Sequence, residues 1–292
     1  MQQALLLVVA QRAGADPGPG SQVADVDHVA SSGFPACLDV GVNSYRRCFE
    51  IAYYVGVAPM DVKNSVALVT GANRGLGRHL AQQLLERGAA KVYATARRPE
   101  LVDLPGVEVL RLDITEPESV AQAAAAAQDV TLLVNNAGIT TFADLVTGDK
   151  AAIRLELETA FWGTLEMVRA FAPILEANGG GAIVNLNSAM SWVAADRANA
   201  YHVAKAAQWA LTGGVRLELA PQNTRVAGVY LGMTDTGHQQ WWDGPMGDPA
   251  VAVRTMLDGL EADQLEIIVD DLAAGAKAAL SADPRDFYPA AA

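Results

Sequence analysis

Cysteine is nearly absent. Cys37 and Cys48 are the only two in 292 residues. A chain of this length can bury a substantial core without covalent staples. The pair can form one bridge at most, and reads more simply as free thiols in a reducing compartment. Histidine is also scarce: His28, His79, His202 and His238 are scattered, and no Cys/His spacing matches a zinc site, so no metal is expected. Long apolar runs are missing as well. Nothing approaches the ~20 residues needed to span a bilayer. The run at 5–10 is short, has no basic residue before it and is followed by Gln11-Arg12, a poor secretory signal. The expectation is a cytoplasmic protein without membrane contact. Positive charge is in deficit, with 21 basic against 33 acidic side chains and a net charge of −12. That balance excludes a general nucleic-acid binder and opposes docking to anionic membranes or acidic carrier proteins. With 51% apolar and 18% charged residues, the chain is not a disordered one.

What is present falls into two zones. Residues 1–59 show no sustained helical or strand period and contain the breaker cluster Asp16-Pro17-Gly18-Pro19-Gly20-Ser21. Only 45–57 is apolar enough for a short helix or docking segment. The expectation is a poorly ordered N-terminal extension, or translated sequence upstream of a start at Met60, ahead of a catalytic domain over 60–292. From Lys63 onward, strand and helix patterns alternate. Strands are expected at 65–70, 91–96, 107–112, 130–134, 181–186, 224–230 and 265–269. Helices are expected at 75–87, 116–128, 150–178, 198–220, 249–261 and 272–281, the first with Leu76, Leu80 and Leu84 on one stripe. Such alternation implies an α/β, doubly wound parallel sheet of about seven strands with helices on both faces, a Rossmann fold. No internal repeat is visible.

Between the first strand and the first helix stands Thr70-Gly71-Ala72-Asn73-Arg74-Gly75-Leu76-Gly77. Glycines let the backbone turn sharply and approach a pyrophosphate, while the helix N-terminus offers free N–H groups. Placed between strand and helix, the turn predicts a dinucleotide site. The second strand ends in Ala96-Arg97-Arg98, where a site for NAD usually carries an acid for the ribose 2′-hydroxyl. With no acid there, Arg97 can pair with a 2′-phosphate and Arg74 can approach from the other side, so NADP(H) is the expected cofactor.

Further motifs follow the glycine turn. Asp113-Ile114 follows the third strand, and Asn135-Asn136-Ala137-Gly138 follows the fourth. Ser188 stands thirteen residues before Tyr201, Lys205 stands four after it, and Gly232 to Thr236 follows the sixth strand. In this combination the chain resembles the single-domain branch of the short-chain dehydrogenase/reductase family, over about residues 61–282. The resemblance implies a catalytic Ser188, Tyr201 and Lys205. It also implies cofactor contacts from Gly71, Asn73, Arg74, Gly75, Leu76, Gly77, Arg97, Asp113, Ile114, Asn135, Ala137, Gly138, Tyr201, Lys205, Gly232, Thr234 and Thr236. Leu231 takes the place of the family's proline.

The residue types suit carbonyl–alcohol interconversion. A free tyrosine has a pKa of about 10, too high for easy proton exchange near neutrality. A lysine one helical turn away lies on the same face, and its charge is expected to lower that pKa. Ser188 would orient the substrate oxygen and stabilise developing charge. One departure matters. In Glu158-Thr159-Ala160-Phe161-Trp162-Gly163, Ala160 occupies the place of an asparagine that in the family fixes a proton-relaying water. Impaired but surviving turnover is expected, with another water or a nearby group such as Thr159 serving instead. The alternative is a nucleotide-binding regulator or a non-redox enzyme on the same fold, and the acidity opposes a reductase of carrier-bound acyl groups. His79, His202, Glu156 and Glu158 read as helix-surface residues. Trp241-Trp242 would suit a lid over an apolar or aromatic small-molecule substrate. The resemblance also implies a homodimer or homotetramer through the helices near 150–178 and 198–220, with Arg169, Phe171 and Trp209 as possible contacts.

Overall fold

The computed structural model describes residues 60–194, 196–237, 244–286 and 288. The expected extension over 1–59, both cysteines and the Trp241-Trp242 lid lie outside the described residues. Strands β1 (Val66–Val69), β2 (Lys91–Ala96), β3 (Glu108–Arg111), β4 (Leu132–Asn135), β5 (Gly181–Leu186), β6 (Thr224–Tyr230) and β7 (Glu266–Ile268) form one sheet in the order β3-β2-β1-β4-β5-β6-β7. Every pairing is parallel. The helices are α1 (Gly75–Glu86), α2 (Pro117–Ala126), α3 (Lys150–Leu157), α4 (Thr164–Ala177), α5 (Asn199–Leu219), α6 (Pro249–Glu261) and α7 (Asp271–Ala279). This is the expected Rossmann fold.

The alternation of side chains along each strand explains the two helical layers. In β1, Ala67 and Val69 face one core, with Leu80 and Leu84 of α1 and Val253, Met256, Leu257 and Leu260 of α6. Leu68 between them faces the other core, with Val120 of α2, Met167, Phe171 and Leu175 of α4, and Val215 of α5. Phe171 is fully buried there and is a core residue, not a surface contact. No described helix is long and apolar enough to cross a membrane.

The single helix expected over 150–178 is interrupted. Asp149 caps α3 by accepting from the backbone N–H groups of Ala151 and Ala152, and a π-helical turn, Glu158–Gly163, separates α3 from α4. A π-turn admits one extra residue without breaking the helix axis and often marks a functional site. Gly163 ends it against Ile114, whose side chain would lie 2.9 Å from any added Cβ.

Candidate active site

Strand order reverses between β1 and β4, so the loops leaving them part and open a crevice at the carboxyl edge of the sheet. The loop after β1 turns through Gly71 and Gly75, both left-handed at φ +67° and +53°. A Cβ on Gly77 would collide with the Gly71 carbonyl and lie 2.5 Å from Asn136 Nδ2. The two loops are tied together. Thr70 Oγ1 accepts from the backbone N–H groups of Asn136 and Ala137, both at 2.9 Å. Asn136 Nδ2 donates in return to the carbonyls of Thr70 at 2.7 Å and Gly71 at 3.2 Å. Thr70 and Asn136 thus shape the turn, a role that glycine spacing does not announce.

The resulting cleft has a volume of about 360 Å³. Of the expected cofactor residues, Gly71, Asn73, Arg74, Gly75, Leu76, Gly77, Arg97, Asp113, Ile114, Ala137, Gly138 and Thr236 line it, with Arg98 and Thr115 added. Asn135, Tyr201, Lys205, Gly232 and Thr234 do not. Asn135 is buried in the sheet and donates to Asn185 Oδ1 at 2.8 Å. The Gly232 N–H donates to Asp270 Oδ2 at 2.7 Å, and Thr234 is buried in a bridge to Gly247. At the mouth of α1, Arg74 gives no side-chain cap and the first turn carries no acid. That leaves the dipole's positive end and its N–H groups to an anion. Among the described residues, Arg74, Arg97 and Arg98 enter no ion pair. The cleft can therefore hold a ligand bearing several phosphate charges, despite the acidity of the whole chain.

The cleft continues to Leu155 and Thr159, on the helix that packs across α5. Tyr201 and Lys205 stand one turn apart on α5, with Lys205 Nζ 5.7 Å from the Tyr201 ring centre. Lys205 is buried and donates to the Leu186 carbonyl and to Gln208 Oε1, both at 2.7 Å. Gln208 Nε2 donates onward to Thr164 Oγ1 at 3.0 Å. Gln208, three residues after Lys205, was not singled out from the sequence. Ser188 leaves β5 and caps a short turn, its Oγ accepting from the Met190 N–H at 3.1 Å.

Burial dominates the titration of this pair. It pushes the Lys205 ammonium down to about 8, with the Glu156 charge working against the fall. It pushes the Tyr201 phenol up to about 12; a hydrogen bond with Ser188 opposes the rise, and the Glu156 charge adds to it. The lowering of Tyr201 expected from its lysine is not found; loss of solvent sets the direction of the shift.

Two sequence expectations need correction here. Glu156 is not on a solvated face: it is 1% exposed, whereas Glu158 is exposed. Half-buried His202 is not a free surface residue either, since its Nδ1 lies 2.7 Å from the Met190 carbonyl. Ala160 is buried in the π-turn, and the Thr159 hydroxyl there donates to the Leu155 carbonyl at 2.8 Å.

Comparison with known proteins agrees with this fold. The model of the short chain dehydrogenase family matches residues 65–244. A short-chain dehydrogenase of Penicillium ochrochloron is 35% identical over 185 residues, covering 60% of this chain and 68% of that protein. An L-xylulose reductase of Cavia porcellus is 33% identical over 184 residues, covering 61% and 75%. A short chain dehydrogenase from Burkholderia cenocepacia, solved in complex with NADP, superposes with a TM-score of 0.75 at 40% identity, covering 78% of this chain and 97% of that one. The chain belongs to the short-chain dehydrogenase/reductase family of oxidoreductases.

Proposed function

We propose that the protein is an NADP(H)-dependent oxidoreductase that interconverts a ketone or aldehyde with the corresponding alcohol. The observation that carries this reading is Tyr201, hydrogen-bonded to Ser188 and one helical turn from Lys205, on the helix packed against the Leu155 and Thr159 edge of a cleft whose lining also includes Arg74, Arg97 and Arg98, none of which enters an ion pair among the described residues. The residues fit the cofactor. Gly77 lets α1 start directly against the Gly71 carbonyl and Asn136, the α1 N-terminus is uncapped, and Ala96 leaves no acid to repel a 2′-phosphate. The NADP complex of the Burkholderia relative is consistent with it.

When bound, the nicotinamide would supply or accept the hydride. The chain's own residues handle the proton and the oxygen. Ser188 donates a hydrogen bond to the carbonyl oxygen and holds it beside Tyr201. Tyr201, kept protonated by burial, gives its proton to the developing alkoxide. Charged Lys205 then stabilises the phenolate that remains, while Leu186 and Gln208 fix its ammonium in place. Asp113, Ala137 and Thr236 would border the nucleotide, and Arg74, Arg97 and Arg98 would take its extra phosphate.

The same proposal includes an apolar or aromatic substrate, a cytoplasmic setting and a homodimer or homotetramer. Trp209 and Leu217, exposed on α5, support such assembly. A second reading, a nucleotide-binding regulator or non-redox enzyme, draws its support from Ala160. One experiment separates the two. NADPH and NADH are titrated into the purified chain, and nucleotide oxidation is followed on small ketones, quinones and polycyclic aromatic ketones. NADPH-dependent reduction is expected; tight NADPH binding without turnover on any carbonyl would favour the regulator.

A further inference from the structure

Glu156 is a buried carboxyl group that the proton chemistry above does not use. It lies near the end of α3, which packs against α5, the helix of Tyr201 and Lys205. Its Oε1 accepts from the Thr141 backbone N–H at 2.5 Å and from the Thr141 hydroxyl at 2.8 Å. Its Oε2 is buried without a hydrogen-bond partner among the described residues. A carboxyl group is rarely buried this fully unless a charge compensates it. The compensating charge on hand is Lys205, which is itself buried and held only by the neutral oxygens of Leu186 and Gln208.

The other charged groups nearby face elsewhere. Arg154 and Glu158 on the same helical stretch are exposed, as are Asp144, Asp149 and Lys150 before it. On α5, His202 is engaged by the Met190 carbonyl. The segment before Asp144 presents the Thr141 donors, and the π-turn presents Thr159 and the apolar Ala160. The Glu156 charge therefore acts on Tyr201 and Lys205, and it acts on both in one direction: it opposes a second anion at Tyr201 and favours the cation at Lys205. Burial raises the carboxyl pKa of Glu156, while the two Thr141 donors and Lys205 favour its charged form.

We propose that Glu156 is a positioning residue of the proton pair, a buried carboxylate that favours charged Lys205 and protonated Tyr201 and so sets the pH range over which the couple exchanges its proton with the substrate oxygen. The proposal rests on the reading of Tyr201 and Lys205 as the acid–base couple. In reduction, the Tyr201 O–H bond breaks as the product O–H bond forms. The phenolate left behind regains its proton from water, which restores the site.

The first readout needs no catalysis. NMR of the full chain carrying isotope-labelled lysine Cε follows the titration of Lys205, assigned by the signal lost in Lys205→Met. In Glu156→Gln, which keeps an oxygen for the Thr141 donors, the Lys205 midpoint is expected to fall by about one pH unit. In Glu156→Asp it should stay close to the wild type. An unchanged midpoint in Glu156→Gln overturns the proposal. Should Glu156→Gln not fold, Thr141→Val removes one donor from Oε1 and favours neutral Glu156; a lower Lys205 midpoint supports the proposal and an unchanged one overturns it. The second readout is the pH profile in both directions. The alkaline limb of reduction and the acidic limb of oxidation should move down together in Glu156→Gln, and coincident profiles would contradict the proposal. A wild-type chain that reduces no carbonyl, with a Lys205 midpoint that still falls in Glu156→Gln, would support the pairing and overturn the oxidoreductase reading.

Discussion

Replacing Arg97 by alanine removes one cation from the mouth of the cleft without touching the core, because Arg97 is exposed just beyond the last residue of β2. A hydrogen bond to a charged group contributes about 1.5–3 kcal/mol. Exposure places Arg97 at the lower end of that range, and Arg74 and Arg98 remain to share a 2′-phosphate. The expected loss is about 1.5 kcal/mol, or a little over tenfold in the NADPH dissociation constant. NADH carries no 2′-phosphate, so its dissociation constant should hardly move. Adding Ala96→Asp should widen the effect, since an acid at the end of β2 repels the phosphate and accepts the ribose hydroxyl of NADH. The assay is a fluorescence titration of both nucleotides against the wild type and both variants. Equal losses for NADPH and NADH, or none for either, would refute the assignment of the arginines to the extra phosphate.

Three other outcomes are expected. Gly77→Ala should weaken nucleotide binding and destabilise the fold by about 1–3 kcal/mol, because the new methyl meets the Gly71 carbonyl and Asn136; a melting curve and a titration read both effects. Ala160→Asn should raise turnover with NADPH if a side-chain amide in the π-turn restores a proton-relaying water, and no change in kcat would sink the relay argument. The rate of reduction should fall above a pH near 8, where Lys205 loses the charge that stabilises the Tyr201 phenolate; a flat profile to pH 10 would show that this charge is not needed.

Most of the fold was legible because parallel strands buried on both faces read as continuous apolar runs. β2, β5, β6 and α6 lie where their patterns put them. The break in the helix after residue 157 was not legible, since a π-turn changes the hydrogen-bond offset and leaves no period of its own. The error over Glu156 has the same root. It sits between Leu155, 48% exposed, and half-buried Leu157, so its burial depends on how α3 meets α5. In the site, spacing singled out Ser188, Tyr201, Lys205 and the glycine turn, whose residues line the cleft. It could not show that Thr70 and Asn136 lock two loops together, or that Asn135 turns into the sheet, because those contacts join residues more than 45 apart in sequence.

In the proposed NADPH-dependent carbonyl reduction, Tyr201 supplies the proton. The decisive measurement is kcat on the best ketone substrate for the wild type and Tyr201→Phe, with NADPH affinity measured in parallel. The phenylalanine keeps the ring and removes only the hydroxyl. Nucleotide affinity should be retained, and kcat should fall by roughly 10²–10⁴-fold, the range for losing a general acid. Equal turnover by the two proteins would contradict the claim.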